Sequence, residues 1–365
     1  MRVGFVTDAT QVGGSEIWLT QILPLLPEFG IEPFSAMPPA ARTAYIRDKL
    51  HAAGIEALTY TDLRRLPAAD LYVTSTWTPV NFRRMLAVLP RPRVALVHDW
   101  MEMFIPGGVN YVYRAGYRLL QAPLLRRSDG VITVSNWARE HLERVHKVPN
   151  VRAIHNGVDS ERFRPPSPAE KAELRRQFGF SGTVAVMPAR FALEKNHLAA
   201  LLAARGIPGL TLALAGAGPL ERQVRAAARW LGVENAVFLG MVKEMPQLYR
   251  AADLLVQPTF GENQSLVTLE AMASGLPVLS SNIPAQRELI DDGVEGWLAP
   301  PWPPRHLRRR LLEALADEEE LRRAGERARR RVLERHTLSS VASSLAAVLK
   351  EFVGDRPGNH GAHNV

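Results

Sequence analysis

The strongest constraint on the fold is a rhythm of short β-rich runs alternating with longer stretches at helical spacing. Val3 to Thr7, Leu71 to Thr76, Val94 to His98, Val131 to Ser135 and Val151 to His155 form a first series. Thr183 to Met187, Leu210 to Ala215, Val237 to Leu239, Leu254 to Gln257 and Pro277 to Ser280 form a second. The runs are apolar at consecutive positions, so both faces of each strand are buried, as in a parallel sheet covered by helices on each side. Two doubly wound α/β sheets meet this pattern most economically.

Length agrees, because 365 residues exceed the roughly 250 to 300 at which a single core stops growing. Between the two series, Asn156 to Pro168 carries Pro165, Pro166 and Pro168, which cannot continue a ladder or a helix interior. The division is therefore expected there, with 1–164 in one domain and 165–336 in the next. A charged helix over about Asp317 to Arg335 precedes a second helical run to about Phe352, and 354–365 reads as a frayed tail.

Charge excludes less than it first promises. Lys plus Arg number 45 against 37 Asp plus Glu, a net +8, which invites a nucleic-acid or anionic-membrane partner. The basic runs Arg305 to Arg310 and Arg322 to Arg335 are interleaved with Glu313, Glu318 to Glu320, Glu326 and Glu334, the pattern of a solvated helix face. No nucleic-acid partner is expected. Only six residues are lysines, so a lysine at a motif position stands out from surface filler. The absence of cysteine removes disulfides, thiolate metal sites and cysteine nucleophiles. No run reaches the roughly 18 apolar residues of a membrane span, and the N-terminal run is too short for a signal peptide. A cytoplasmic protein is the expectation.

The segment Gly261-Glu-Asn-Gln-Ser-Leu-Val-Thr-Leu-Glu-Ala-Met-Ala-Ser-Gly275 follows a buried strand. Asn263 or Ser265 can cap a helix with Leu266, Leu269 and Met272 at helical spacing, and Gly275 ends it. A helix start at the carboxyl end of a parallel strand favours phosphate, through unpaired N–H groups and the helix dipole. Glu262 and Glu270 flank that start; they suit vicinal sugar hydroxyls, or are a loop acid and an ordinary helix residue. Arg190 and Lys195 bracket the loop after Thr183 to Met187, either as a diphosphate clamp or as surface charge pairing with Glu194. Val12-Gly13-Gly14-Ser15-Glu16 opens a helix after the first strand and permits close approach to a phosphate, or only a tight turn. Ala215-Gly216-Ala217-Gly218-Pro219 also follows a strand, but Glu221 stands where a dinucleotide fingerprint needs its third glycine. His98, beside Asp99, ends a strand and is either a packed core residue or a substrate-binding one. Asp-x-Asp, HExxH, GxxxxGK[ST] and GxSxG are all absent, and no metal ligands are expected.

Taken in order, Gly13-Gly14-Ser15-Glu16, His98-Asp99, Val134-Ser135, Asn156-Gly157-Val158-Asp159 with Phe163, Arg190 with Lys195, Gly216-Ala-Gly218-Pro219 and Glu262 with Glu270-Ala-Met-Ala-Ser-Gly275 resemble the family-4 group of retaining GT-B glycosyltransferases, over about residues 3 to 353. The resemblance implies two Rossmann-like domains facing across a cleft, with a terminal helix over 337–353 crossing back to the first. It implies transfer of a sugar from a nucleotide-sugar donor to a carbohydrate, lipid-linked or small-molecule acceptor, with retention and without an obligatory metal or other cofactor. Arg190 and Lys195 would neutralise the leaving diphosphate, Glu270 would hold the ribose, and Glu262 and His98 would contact the donor sugar. N–H groups near Ser265, Leu266 and Val267 would cap the phosphates together with Gly13 and Gly14. The Gly216 loop and the backbone at Met241 and Val242 would serve the nucleotide. Many members read Glu-Gly-Phe-Gly where this chain reads Glu262-Asn263-Gln264-Ser265; Asn263 and Gln264 would then join the donor-binding residues and alter contacts to the donor sugar, so a particular sugar is not carried over.

A phosphorylase or sugar-nucleotide epimerase of the same fold, and a noncatalytic nucleotide-binding module, remain alternatives. Tyr111 to Arg127 mixes Tyr and Leu with Arg114, Arg118, Arg126 and Arg127, as an interfacial helix at the inner face of a membrane would, or as a core-facing helix with an arginine rim would.

Overall fold

The computed structural model describes residues 1–10, 13–75, 78–99 and 101–354. Val12, Thr76, and all of the expected tail except Gly354 lie outside the described residues. The chain divides into two compact units, one of Met1–Asp99, Arg114–Gly157 and Leu338–Val365, the other of Trp100–Tyr113 and Val158–Thr337. The second unit thus begins a little before the prolines and takes in a segment from much earlier in the chain.

The first unit holds β1 (Arg2–Thr7), β2 (Glu32–Met37), β3 (Glu56–Thr59), β4 (Leu71–Ser75), β5 (Arg93–Val97), β6 (Gly130–Thr133) and β7 (Val151–Ala153). They form one sheet in the order β3-β2-β1-β4-β5-β6-β7, parallel throughout. The chain winds outward from β1 to β3 and then returns to lay β4 against β1, so the sheet reverses direction between those two strands. Strands β2 and β3 escape the apolar-run pattern because Pro33 and Ser35 interrupt the former and the latter is a half-exposed edge. The helix Leu338–Gly354 closes this core, burying Val341, Leu345, Leu349 and Phe352 against strand and helix residues such as Phe5, Ile22 and Val73. At about 1.5 to 3 kcal/mol for each large side chain buried, this face is what holds the helix to its unit. Gly130 makes room for it, since a Cβ there would lie 2.1 Å from the Phe352 ring.

The second unit holds β8 (Thr183–Pro188), β9 (Leu210–Ala215), β10 (Ala236–Gly240), β11 (Leu254–Gln257), β12 (Val278–Ser281) and β13 (Gly296–Ala299). Their order is β10-β9-β8-β11-β12-β13, again all parallel. Val184, Val186, Leu255 and Val278 pack into one apolar layer, while Ala185, Met187, Leu254, Val256 and Leu279 pack into the layer on the opposite face. Successive residues of a strand point to opposite faces, which is why these strands read as continuous apolar runs. Here the reversal falls between β8 and β11.

The basic helix Glu318–Arg335 uses its charges locally: Arg322 and Arg323 pair with Glu319, and Arg331 reaches Asp291 and Glu295. Among the described residues no helix is long and apolar enough to cross a membrane. From Arg114 onward the mixed segment continues as a π-turn, Tyr117–Gln121, and a short helix, Ala122–Leu125. Tyr117, Ala122 and Leu125 face inward, whereas Leu119 and Leu120 are 73% and 63% exposed between Arg118 and Arg126.

Candidate active site

Open α/β sheets bind ligands outside the carboxyl ends of their strands where the strand order reverses. In the second unit that point lies between the loops leaving β8 and β11, and the two are stitched together. The Thr259 hydroxyl and the Phe260 N–H both donate to the Glu194 carbonyl, at 2.9 and 2.7 Å. Asn196 takes a left-handed conformation, φ 56°, and donates its amide to the Pro301 carbonyl at 3.0 Å, fixing the turn before the helix His197–Ala204. The result is that Lys195 Nζ meets Glu262 Oε1 at 2.5 Å, with the two side chains only 21% and 13% exposed. Gln257 Nε2 donates to the same carboxylate at 3.2 Å.

Ser265, not Asn263, caps the helix Leu266–Ala273, its hydroxyl accepting from the Thr268 N–H at 3.2 Å. Gln257 Nε2 donates to that hydroxyl at 2.9 Å, and the Thr268 hydroxyl donates to Gln257 Oε1 at 2.7 Å. Asn263, Gln264 and Ser265 are all buried. The departure from the glycine-rich form thus draws polar side chains into the protein, while the first-turn N–H groups of Leu266 and Val267 have no i−4 acceptor within the helix. Gln257 and Thr268 were not singled out from sequence; the available signal was a polar residue closing an otherwise apolar strand.

On the second turn, Glu270 accepts from the Tyr249 hydroxyl at 2.9 Å. Burial pushes its carboxyl up to about 7, against the opposing pull of that hydrogen bond and of the Arg162 charge. The same burial, with the Glu270 charge, raises the Tyr249 phenol well above its ordinary value.

Arg190 follows β8 directly, is 59% exposed and pairs with Glu194 Oε1 at 2.8 Å. The local ion pair that the sequence left open is therefore formed, and the two cations of the expected clamp are held by separate carboxylates. Gly216, at φ 134°, has no room for a Cβ, which would fall 2.2 Å from the Ala189 carbonyl; at Gly218 it would fall 2.6 Å from the Phe191 backbone. These glycines let the β9 loop lie directly on the loop that carries Arg190. Met241 is exposed and Val242 half-buried in the loop after β10.

In the first unit, His98 follows β5 and meets Trp18 edge-on, with ring centres 5.2 Å apart. Its Nε2 is enclosed without a hydrogen-bond partner among the described residues, and burial holds the imidazole down to about 4, so it is neutral at pH 7. It borders a cavity of about 20 Å³ with Ser15, Thr74 and Ser75, about enough for one water. Gly13 is extended, at φ −130°, and Gly14 is the first residue of the helix Gly14–Ile22, so neither occupies a conformation that demands glycine. The Glu16 carboxylate reaches back to this helix start, accepting from the Gly13 N–H at 3.0 Å and from the Ser15 hydroxyl at 2.9 Å. Asn81 Nδ2 donates to Asp8 Oδ2 at 2.8 Å, linking the first turn of the helix Pro79–Val88, which follows β4, to the loop beyond β1 at this sheet's own reversal.

Among the described residues no group of three His, Asp or Glu side chains could hold a metal. The family description "Glycosyl transferases group 1" matches residues 170–331, and "Glycosyltransferase Family 4" matches residues 12–162. The chain belongs to the family-4 glycosyltransferases. Among curated relatives of this family-4 chain, the lipopolysaccharide core biosynthesis mannosyltransferase LpsB of Rhizobium meliloti is 32% identical over 184 residues, 47% of this chain and 50% of LpsB. The alpha-monoglucosyldiacylglycerol synthase of Streptococcus pneumoniae is 30% identical over 204 residues, 53% of this chain and 44% of the synthase. The chain thus spans about half the length of these relatives. The crystal structure of Anabaena HepE in complex with UDP-glucose superposes with a TM-score of 0.79 at 21% identity, covering 96% of this chain and all of that one. This likeness gives the family-4 chain its fold, that of the GT-B glycosyltransferases.

Proposed function

We propose that this chain transfers a hexosyl group from a nucleotide-sugar donor to a carbohydrate, lipid-linked or small-molecule acceptor, with retention of anomeric configuration. The observation that carries the reading is the Lys195–Glu262 pair, at the reversal of the second sheet and beside a capped helix start. A departing diphosphate needs positive charge, and the developing oxocarbenium ion gains more from fixed charge than from a strong nucleophile. Lys195 supplies that charge, and Arg190 joins it by leaving Glu194. The N–H groups of Ser265, Leu266 and Val267 serve the phosphates, Glu270 the ribose, and Glu262 the donor-sugar hydroxyls. Gly216 and the backbone at Met241 and Val242 serve the nucleotide. In the first unit, the neutral His98 imidazole suits a hydrogen bond to a sugar hydroxyl, and Gly13 and Gly14 let the backbone at that helix start approach a phosphate closely. This division of labour calls for no metal and no further cofactor.

The test is a screen of UDP-, GDP- and ADP-sugars for thermal stabilisation and slow hydrolysis, beginning with UDP-glucose because HepE was crystallised with it. At least one should raise the melting temperature in proportion to the logarithm of its concentration, and Lys195→Ala should abolish the shift. No shift with any of them would refute the assignment.

A peripheral membrane contact is the finer reading of the segment beginning at Arg114. Exposed Leu119 and Leu120 beside Arg118, Arg126 and Arg127 suit an anionic bilayer surface. The relationship to a diacylglycerol-glycoside synthase supports it. Flotation with vesicles containing phosphatidylglycerol should carry the protein upward, and Leu119→Glu with Leu120→Glu should leave it at the bottom; a wild-type chain that does not float would remove this contact from the proposal.

A further inference from the structure

The residues on either side of Lys195 in the chain line a cavity that none of the donor-site residues enters. It measures about 440 Å³, within the roughly 300 to 1,000 Å³ range of small-molecule sites. Its walls, all in the second unit, include Ile105, Pro106, Leu193, Leu198, Val224 and Trp302. Leu193, Leu198 and Trp302 are 60%, 41% and 41% exposed, so apolar surface stands open to water at its mouth.

One polar side chain in the lining lacks a partner. His197 is 3% exposed, stacks on Phe191 with ring centres 4.3 Å apart, and leaves Nε2 without a hydrogen-bond partner among the described residues. Burial and the Lys195 charge keep it neutral at pH 7. Asn196, also in the lining, has its amide committed to Pro301. Walls this apolar, with the two polar side chains among them buried or committed, are the composition of a site for a largely apolar ligand.

A nucleotide-sugar cannot be that ligand. Its phosphates and hydroxyls would lose water against aliphatic walls with nothing to replace it. We propose that the cavity receives the aliphatic part of a hydroxyl-bearing acceptor, with the polar end of that chain toward the Lys195 turn. At about 30 Å³ per atom the volume holds roughly 15 carbons. The inference rests on the transferase reading, which assigns the donor to the neighbouring residues.

The probes are methyl, hexyl, octyl and decyl β-D-glucopyranoside, titrated calorimetrically below their micelle concentrations. Each added methylene should tighten binding by up to about fourfold, with methyl glucoside weakest. Leu198→Glu and Trp302→Glu alter partly exposed walls; they should remove the chain-length dependence while leaving thermal unfolding and nucleotide binding unchanged. An acceptor must bind together with the nucleotide, so decyl glucoside should bind as well at saturating UDP as without it. Equal affinities for methyl and decyl glucoside, an undiminished dependence in both variants, or displacement by UDP would each overturn the proposal. UDP, GDP and ADP are titrated alone in parallel. Failure of all three to bind would bring down the donor reading, whereas the chain-length series judges the cavity by itself.

Discussion

Lys195 Nζ stands 2.5 Å from Glu262 Oε1, joining two loops 67 residues apart at the reversal of the second sheet. A diphosphate that draws the ammonium toward itself frees the carboxylate for sugar hydroxyls, so the pair holds both groups ready before donor arrives. Lys195→Ala removes one partner and leaves a largely buried carboxylate with Gln257 alone. We expect about 2 kcal/mol of lost stability and turnover lower by about a hundredfold to a thousandfold. Urea unfolding with steady-state kinetics checks both, and near wild-type turnover would remove Lys195 from the chemistry.

Arg190 is exposed, but its partner Glu194 is buried, so Arg190→Ala also strands a carboxylate and should cost about 1 to 3 kcal/mol. If the guanidinium swings to the diphosphate, turnover should fall at least about tenfold as well. Unchanged kinetics at a temperature where the variant is folded would confine Arg190 to its local pair.

Glu270 couples donor binding to pH. Its carboxyl has an ordinary value of 4.5 and is pushed up to about 7 in the fold. Between those values the unfolded chain has released a proton that the folded chain retains, so this group's contribution to stability is complete below about 4.5 and is lost as pH rises toward 7. Ribose hydroxyls donating to Glu270 favour the carboxylate form, so nucleotide binding at pH 6 should release a proton and affinity should climb to about pH 7. Calorimetry in two buffers of different ionisation enthalpy measures the release. Glu270→Gln should abolish it, and an unchanged release would place the titrating group elsewhere.

Gly216→Ala sets a Cβ against the Ala189 carbonyl in a left-side backbone conformation. We expect a loss of about 1 to 3 kcal/mol, together with weaker donor binding because the Arg190 loop must shift. Ala217→Gly, at an exposed neighbouring position, should leave donor binding intact. A Gly216→Ala protein as stable as wild type would show that the loop yields freely.

Much of this was open to a sequence reader for a definite reason. A strand covered on both sides must be apolar at consecutive positions, so β8, β9 and β11 announce themselves. The strands that do not were β2, with Pro33 and Ser35, edge strand β3, and the four-residue β13. Helix starts were legible from capping chemistry, though Asn263 and Ser265 could not be separated; only the packing of Gln257 against Ser265 chooses between them.

By itself, then, the sequence determined the two α/β series, the loops at the carboxyl ends of their strands and the residue types placed there, because periodicity and capping are local properties. Tertiary structure alone decided the partners. Strand order brings β8 beside β11 and so Lys195 to Glu262; helix packing sets Tyr249 on Glu270 and lays the helix Leu338–Gly354 on a sheet begun more than 300 residues earlier. Packing also chose between the two sequence readings of Arg190, resting it on Glu194 four residues along the same loop, and closed the walls around His197 into a cavity. The long-range pairings depend on which burial and charge contacts the whole chain satisfies together, and no spacing within a single loop encodes them.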